Sequence, residues 1–103
     1  MRATINRKTY NTETATDIGD DSAECPTSDF RHWSETLYVT KKGAYFLHGE
    51  GGPMSKYSRT LGNESRGDDQ IIPLTKEEAI EWCEQHHCQE TLEGHFGDDI
   101  EDA

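Results

Sequence analysis

The stretch SETLYVTKKGAYFLHGEGG, residues 34–52, constrains the fold more than any other part of the chain. Leu37 and Val39 alternate with Tyr38 and Thr40, the period-2 pattern of a half-buried strand. Lys41, Lys42 and Gly43 supply a turn, and Ala44 to His48 follows as a compact apolar run. The segment predicts a β-hairpin whose second strand is buried on both faces and is therefore central in its sheet. The glycines that follow, in HGEGGPMSKY, have two readings. They reverse the chain with positive φ as they release it from the sheet edge, or the loop at 49–53 cradles an anion through backbone N–H groups, with Lys56 adding charge. The loop matches neither G-x-x-x-x-G-K-[ST] nor G-x-G-x-x-G, which favours the chain reversal.

The remaining elements fall around that hairpin. ATINRKTY places β-favouring residues on both sides of Asn6 and Arg7 and predicts a second, shorter hairpin. Asn11 and Thr12 read as the cap of a short N-terminal helix through TETATDI, with Glu13 and Asp17 near its positive end and Gly19 closing it. Gly19 to Asp29 and Gly62 to Asp69 read as loops. QIIPL is a strand that Pro73 confines to an edge or an end. Thr75 and Glu78 then form a T-x-x-E capping box that opens the clearest helix in the chain. At 100° per residue, Ala79, Ile80, Trp82, Cys83, His86 and His87 share one arc, and Glu77, Glu78, Glu81 and Glu84 share the other. One face packs on the sheet, and the other is a stripe of carboxylates. Leu92 and Phe96 extend or re-dock the segment beyond Gln89. The fold class that follows is α+β: a small antiparallel sheet of about four or five strands packed against a C-terminal α-helix, with a short N-terminal helix. Residues 1–97 make a single domain, and 98–103 a flexible acidic tail.

Composition enters through charge. The chain of 103 residues carries a formal charge of −11, and the imbalance is not spread evenly. After Lys76 there is no lysine or arginine, against ten acids; the first 76 residues hold eleven acids and ten bases. Such a segment repels nucleic acid and anionic membrane and attracts basic surfaces. Hydrophobic residues make up 31%, so the core is thin. No run approaches the roughly 18 to 20 apolar residues of a membrane helix, and MRATINRKTY lacks a secretory apolar region. The odd count of three cysteines suits a reducing compartment, so a cytoplasmic location is expected.

Three kinds of site can be weighed on these residues. CEQHHC sets Cys83, His86, His87 and Cys88 within six positions, and zinc favours thiolate and imidazole. Cys83 and His87, at i and i+4, could share a metal, with Cys25, His86 and Cys88 as further ligand candidates. The alternative is that Cys83 is a small core residue with half-buried histidine neighbours, and this carries more weight because no C-x₂-C pair is present. Nucleophilic catalysis needs a serine or cysteine beside an oriented base, and no spacing joins Ser55, Ser58 or Cys83 to a histidine in such a set. The carboxylate stripe is solvated surface or a partner-binding face. Segregation of ten acids without a base separates it from an ordinary mixed surface.

The strings TINRKTYNTETAT, SETLYVTKKGAYFLHGEGGPMSKY and IIPLTKEEAIEWCE together resemble a group of small acidic, mostly uncharacterised proteins of phages and other mobile elements, over Thr4 to Glu84. These strings are structural and name no reaction. Anti-CRISPR proteins and other inhibitors of host defence occur in that setting. The resemblance implies a non-enzymatic inhibitor acting in the cytoplasm of a bacterial host, with a CRISPR effector nuclease or complex as partner. Charge then supplies the expected mode: Glu77, Glu78, Glu81, Glu84, Glu90, Asp98 and Asp99 occupy a basic, nucleic-acid-binding surface, with no cofactor and no direct contact with nucleic acid or membrane. The alternative function is a zinc-binding interaction module built on Cys83 and His87.

Overall fold

Asn6 and Arg7 both take positive φ, 51° and 67°, in a two-residue turn that joins β1 (Arg2–Ile5) to β2 (Lys8–Asn11). Such a turn matches the right-handed twist of the strands it joins, so the short hairpin expected from ATINRKTY forms. The computed structural model describes residues 1–25, 28–57, 59–61, 64–66 and 68–100, the segments 59–61 and 64–66 through their backbone alone.

Where a helix was expected after Asn11, the chain makes a single turn and then extends. Asn11 Oδ1 accepts the Glu13 N–H at 2.9 Å, and the Asn11 carbonyl accepts from Thr14 and Ala15. The capping chemistry is therefore present, but from Thr16 the backbone runs as β3 (Thr16–Ser22), paired antiparallel with β4 (Trp33–Val39). An isolated short helix is marginal in water, and seven residues of ladder beside a packed sheet outweigh it. β3 also takes in Gly19 to Ser22, the first part of the stretch expected to be loop. A bulge between Asp17 and Gly19 twists this edge strand.

β4 turns at Lys41–Gly43 into β5 (Tyr45–Gly51), and β5 pairs with β8 (Asp68–Leu74) in a sheet of order β3-β4-β5-β8. The expected hairpin and its central second strand are both present, and Pro73 lies in the edge strand β8. Contrary to expectation, Gly49 and Gly51 belong to β5 itself and none of the three glycines takes positive φ; of the three, Gly52 alone stands in the chain reversal, where its carbonyl accepts the Ser55 N–H at 3.0 Å. β6 (Arg59–Leu61) and β7 (Glu64–Arg66) form a further antiparallel pair; β7 and the first two residues of β8 fall in the stretch Gly62 to Asp69 expected to be loop, of which residues 62, 63 and 67 lie outside the described residues.

The sheet is covered on both sides, which is why β5 reads as continuously apolar. On one face Tyr10 of the first hairpin packs with Phe46 and Ile71, its ring edge-on to Phe46 at 5.5 Å. On the other, Leu37 and Leu47 meet Ala79, Trp82 and Cys83 of α1 (Lys76–Gln85), Leu92 of α2 (Gln89–His95), and Phe96. Each large side chain buried this way contributes about 1.5 to 3 kcal/mol. The capping box expected at Thr75 is complete: Glu78 N–H donates to Thr75 Oγ1 at 3.1 Å, and Thr75 N–H to Glu78 Oε1 at 2.9 Å. α2 re-docks Leu92 as a separate helix. A 3₁₀ turn, Gly97–Asp99, follows it and includes Asp98 and Asp99 of the expected tail; residues 101–103 lie outside the described residues. Among the described residues no helix is long and apolar enough to cross a membrane.

Candidate functional site

With Ala79, Trp82 and Cys83 turned inward, α1 presents Glu77, Glu78, Glu81 and Glu84 to solvent. Glu90 and Glu93 are exposed on α2, and Asp98 and Asp99 on the turn after it. Lys76 Nζ lies 2.8 Å from Asp99 Oδ2, and that bond raises the lysine's pKa. The last base of the sequence is thus already paired within the helical layer. Glu78 is committed to the cap of α1, where its charge also favours the positive helix end. Among the described residues, no lysine or arginine forms an ion pair with Glu77, Glu81, Glu84, Glu90, Glu93 or Asp98.

The acidic surface also reaches the sheet. Asp17 and Asp20 on β3 join Glu90, His86 and His87 around an open concavity of about 670 Å³. Sequence reasoning missed the two aspartates because it assigned Asp17 to a helix and Asp20 to a loop.

Beneath this face lies a buried carboxylate. Glu35, 3% exposed, stands on β4 two residues before the core residue Leu37, on the helix side of the sheet. Lys56 Nζ donates to its Oε1 at 2.9 Å, the Tyr57 hydroxyl donates to Oε2, and Trp82 Nε1 lies 3.5 Å from Oε1. His86 bridges outward, with Nε2 at 3.6 Å from Glu35 Oε1 and Nδ1 donating to Asp21 Oδ2 at 2.6 Å. The ring of His86 stacks on Trp82 with centroids 4.6 Å apart and meets Trp33 edge-on at 5.8 Å; Lys56 Nζ sits 4.6 Å from the Trp33 ring centre. Burial pushes the Glu35 carboxyl up, but the bonds from Tyr57 and Lys56 outweigh it and hold the group below its ordinary value. The Tyr57 hydroxyl is driven far upward by its own burial and by the carboxylate it serves. The charge therefore sits on Glu35 and the proton on Tyr57. Asp21, bonded to His86, is likewise held low.

The glycines of β5 make this arrangement possible. Gly49 stands directly opposite Glu35 in the ladder, and a Cβ there would lie 2.1 Å from a carbon of the Tyr57 ring. Only a bare backbone lets the tyrosine cross β5 to reach the carboxylate. At Gly51 a Cβ would meet Ser55 Oγ at 2.2 Å, so the return of the chain over the strand needs a second bare position.

The candidate metal ligands are placed differently from their spacing on an unbroken helix. α1 stops at Gln85, with His86 as its C-cap. His87 takes φ 56°, and the N–H groups of His87 and Cys88 turn back to the carbonyls of Glu84 (3.4 Å) and Cys83 (2.9 Å). This is a Schellman closure with a histidine where glycine is usual. Cys83 and His87 therefore do not share a helical face. Cys83 is fully buried, and burial raises its thiol to about 11; Cys88 is raised by the same cause. His86 is engaged by Asp21 and Glu35, and the Cys25 carbonyl lies 3.2 Å from His32 Nδ1. Among the described residues no group of three or more His, Cys, Asp or Glu side chains is arranged to hold a metal ion.

Comparison with protein families, with curated proteins and with solved structures finds no match to this chain.

Proposed function

We propose that the protein is a non-enzymatic binding protein whose acidic helical face occupies a basic, nucleic-acid-binding site on another protein. The observation that carries this reading is the exposure of the α1 and α2 acids in a layer whose one lysine is already paired with Asp99. Glu77, Glu81 and Glu84 are three and four residues apart, about 5 to 6 Å between neighbours on a helix. Lysines and arginines set to receive a phosphate backbone would meet a comparable row of fixed negative charge. The packing of Trp82 and the cluster at Glu35 hold α1 in place before any partner arrives, so little order has to be gained on binding. Among basic partners we favour a CRISPR effector nuclease in the cytoplasm of a bacterial host, because the sequence resembles small, mostly uncharacterised mobile-element proteins, a setting in which inhibitors of host defence occur.

The test is the variant Glu77→Lys/Glu81→Lys/Glu84→Lys, which leaves Glu78 to cap the helix. Binding to a purified effector nuclease, and inhibition of its DNA cleavage, are measured at several salt concentrations. The wild type is expected to bind at least about tenfold more weakly at 300 mM than at 50 mM salt, and the variant to lose inhibition while keeping its native circular dichroism. A folded variant that inhibits as well as the wild type would sink the proposal.

A further inference from the structure

In a chain whose acids outnumber its bases two to one, four of the ten bases line one groove. The groove, about 510 Å³, opens between the β1–β2 turn and the β4–β5 turn. Arg7 comes from the first turn, Lys8 from the start of β2, and Lys41 and Lys42 from the second turn; among the described residues no acid lines it. None of the four forms an ion pair among the described residues. Like charges brought together without a counter-charge repel, and a pocket of one sign concentrates ions of the other. The groove's polar groups suit the same ligand. Asn11 Oδ1 is occupied by the Glu13 N–H, which leaves the amide NH₂ as the donor. Thr40 Oγ1 accepts the Ala44 N–H at 3.0 Å, so its own hydroxyl proton is available.

The walls are fixed. The first turn is closed by the Ile5–Lys8 pair at the end of the β1–β2 ladder. The second is closed by Thr40 N–H to the Ala44 carbonyl at 2.8 Å and Gly43 N–H to the Thr40 carbonyl at 2.9 Å, with Gly43 at φ 84°. Tyr10, packed on Phe46, ties the first hairpin to the sheet that carries the second.

We infer that this groove binds a compact oligophosphate, held by Arg7, Lys8, Lys41 and Lys42 with Asn11 and Thr40 as neutral donors. Phosphate oxygens accept from all six side chains, and a volume of this size suits a ligand of nucleotide dimensions or smaller. Compactness follows from charge: a long polyanion leaving the groove would run along a molecule of net charge −11, whereas a short one ends within the basic wall.

Titration calorimetry with sodium tripolyphosphate, a nucleoside triphosphate and a single-stranded oligonucleotide of about 20 residues, each at about 150 mM salt, tests the assignment. Saturable one-to-one binding of tripolyphosphate is expected, weakened at least tenfold in Lys41→Glu/Lys42→Glu and unaltered in the triple variant of the acidic face. Lys41→Gln/Lys42→Gln, which removes charge without reversing it, gives the same loss if the reversal disturbs the fold. Tighter binding of the nucleoside triphosphate would assign the ligand to nucleotides, and equal binding to free oligophosphate; both support the site. Absence of binding by either phosphate at millimolar concentration, affinity retained in both lysine variants, or tighter binding of the oligonucleotide would overturn the inference.

Discussion

At the scale of single residues, Glu35 and Tyr57 govern how the helical layer is seated. Tyr57→Phe removes the donor to a buried carboxylate oxygen and is expected to destabilise the protein by about 2 kcal/mol, measured by urea unfolding near neutral pH. The pH dependence has a definite sign. Because the carboxyl of Glu35 is held below its reference value of 4.5, its contribution is fully present above that value and is lost as pH falls through the lowered one. Glu35→Gln should therefore be less stable at neutral pH yet show a shallower loss of stability on acidification below about pH 4.5. An identical acid limb in both proteins would show that Glu35 is not held low. This cluster was legible only in part. The alternation that marks Leu37 and Val39 as inward places Glu35 on their face, a polar residue on an apolar side, and that was the one available signal. That Tyr57 crosses over Gly49 to meet it depends on the return path of the chain, which no local pattern encodes.

At the scale of elements, the start of α1 was legible and its end was not. Thr75 and Glu78 specify a capping box by side-chain chemistry alone, whereas the stop at Gln85 is made by His87 in a left-handed conformation that no glycine announces. Glycine adopts that conformation freely, whereas an L-residue such as histidine does so at a cost of about 1 kcal/mol. His87→Gly relieves this strain but adds freedom to the unfolded chain, so a net gain of about 0.5 kcal/mol is expected in urea unfolding. A net loss would show that the imidazole of His87 is itself a stabilising contact. The N-terminal segment shows the reverse failure. Asn11 signals a helix start truthfully for one turn, and pairing with β4 then takes over, because strand ladders are decided by partners distant in sequence. The acidic stripe, by contrast, needed only helical periodicity and was placed correctly.

At the scale of the whole molecule, charge is polarised between the acidic helical layer and the basic groove formed by two turns. With net charge −11, self-repulsion should dominate the response to salt. Raising a neutral salt from about 20 to 300 mM is expected to stabilise the unliganded protein by about 1 kcal/mol, or about 4 to 8 °C in Tm for a domain of this size. A fall in Tm would mean that attractive pairs such as Lys56–Glu35 outweigh the repulsion. One further property comes with the aromatic packing at His86. Both tryptophans of the chain, Trp33 and Trp82, contact that single imidazole, one edge-on and one stacked. The tryptophan emission of the protein, excited selectively over its four tyrosines, therefore arises from one place, between the β-sheet and the C-terminal end of α1. Movement of α1 when a partner docks can be followed as a change in emission intensity or wavelength, without attaching a dye to the face under study.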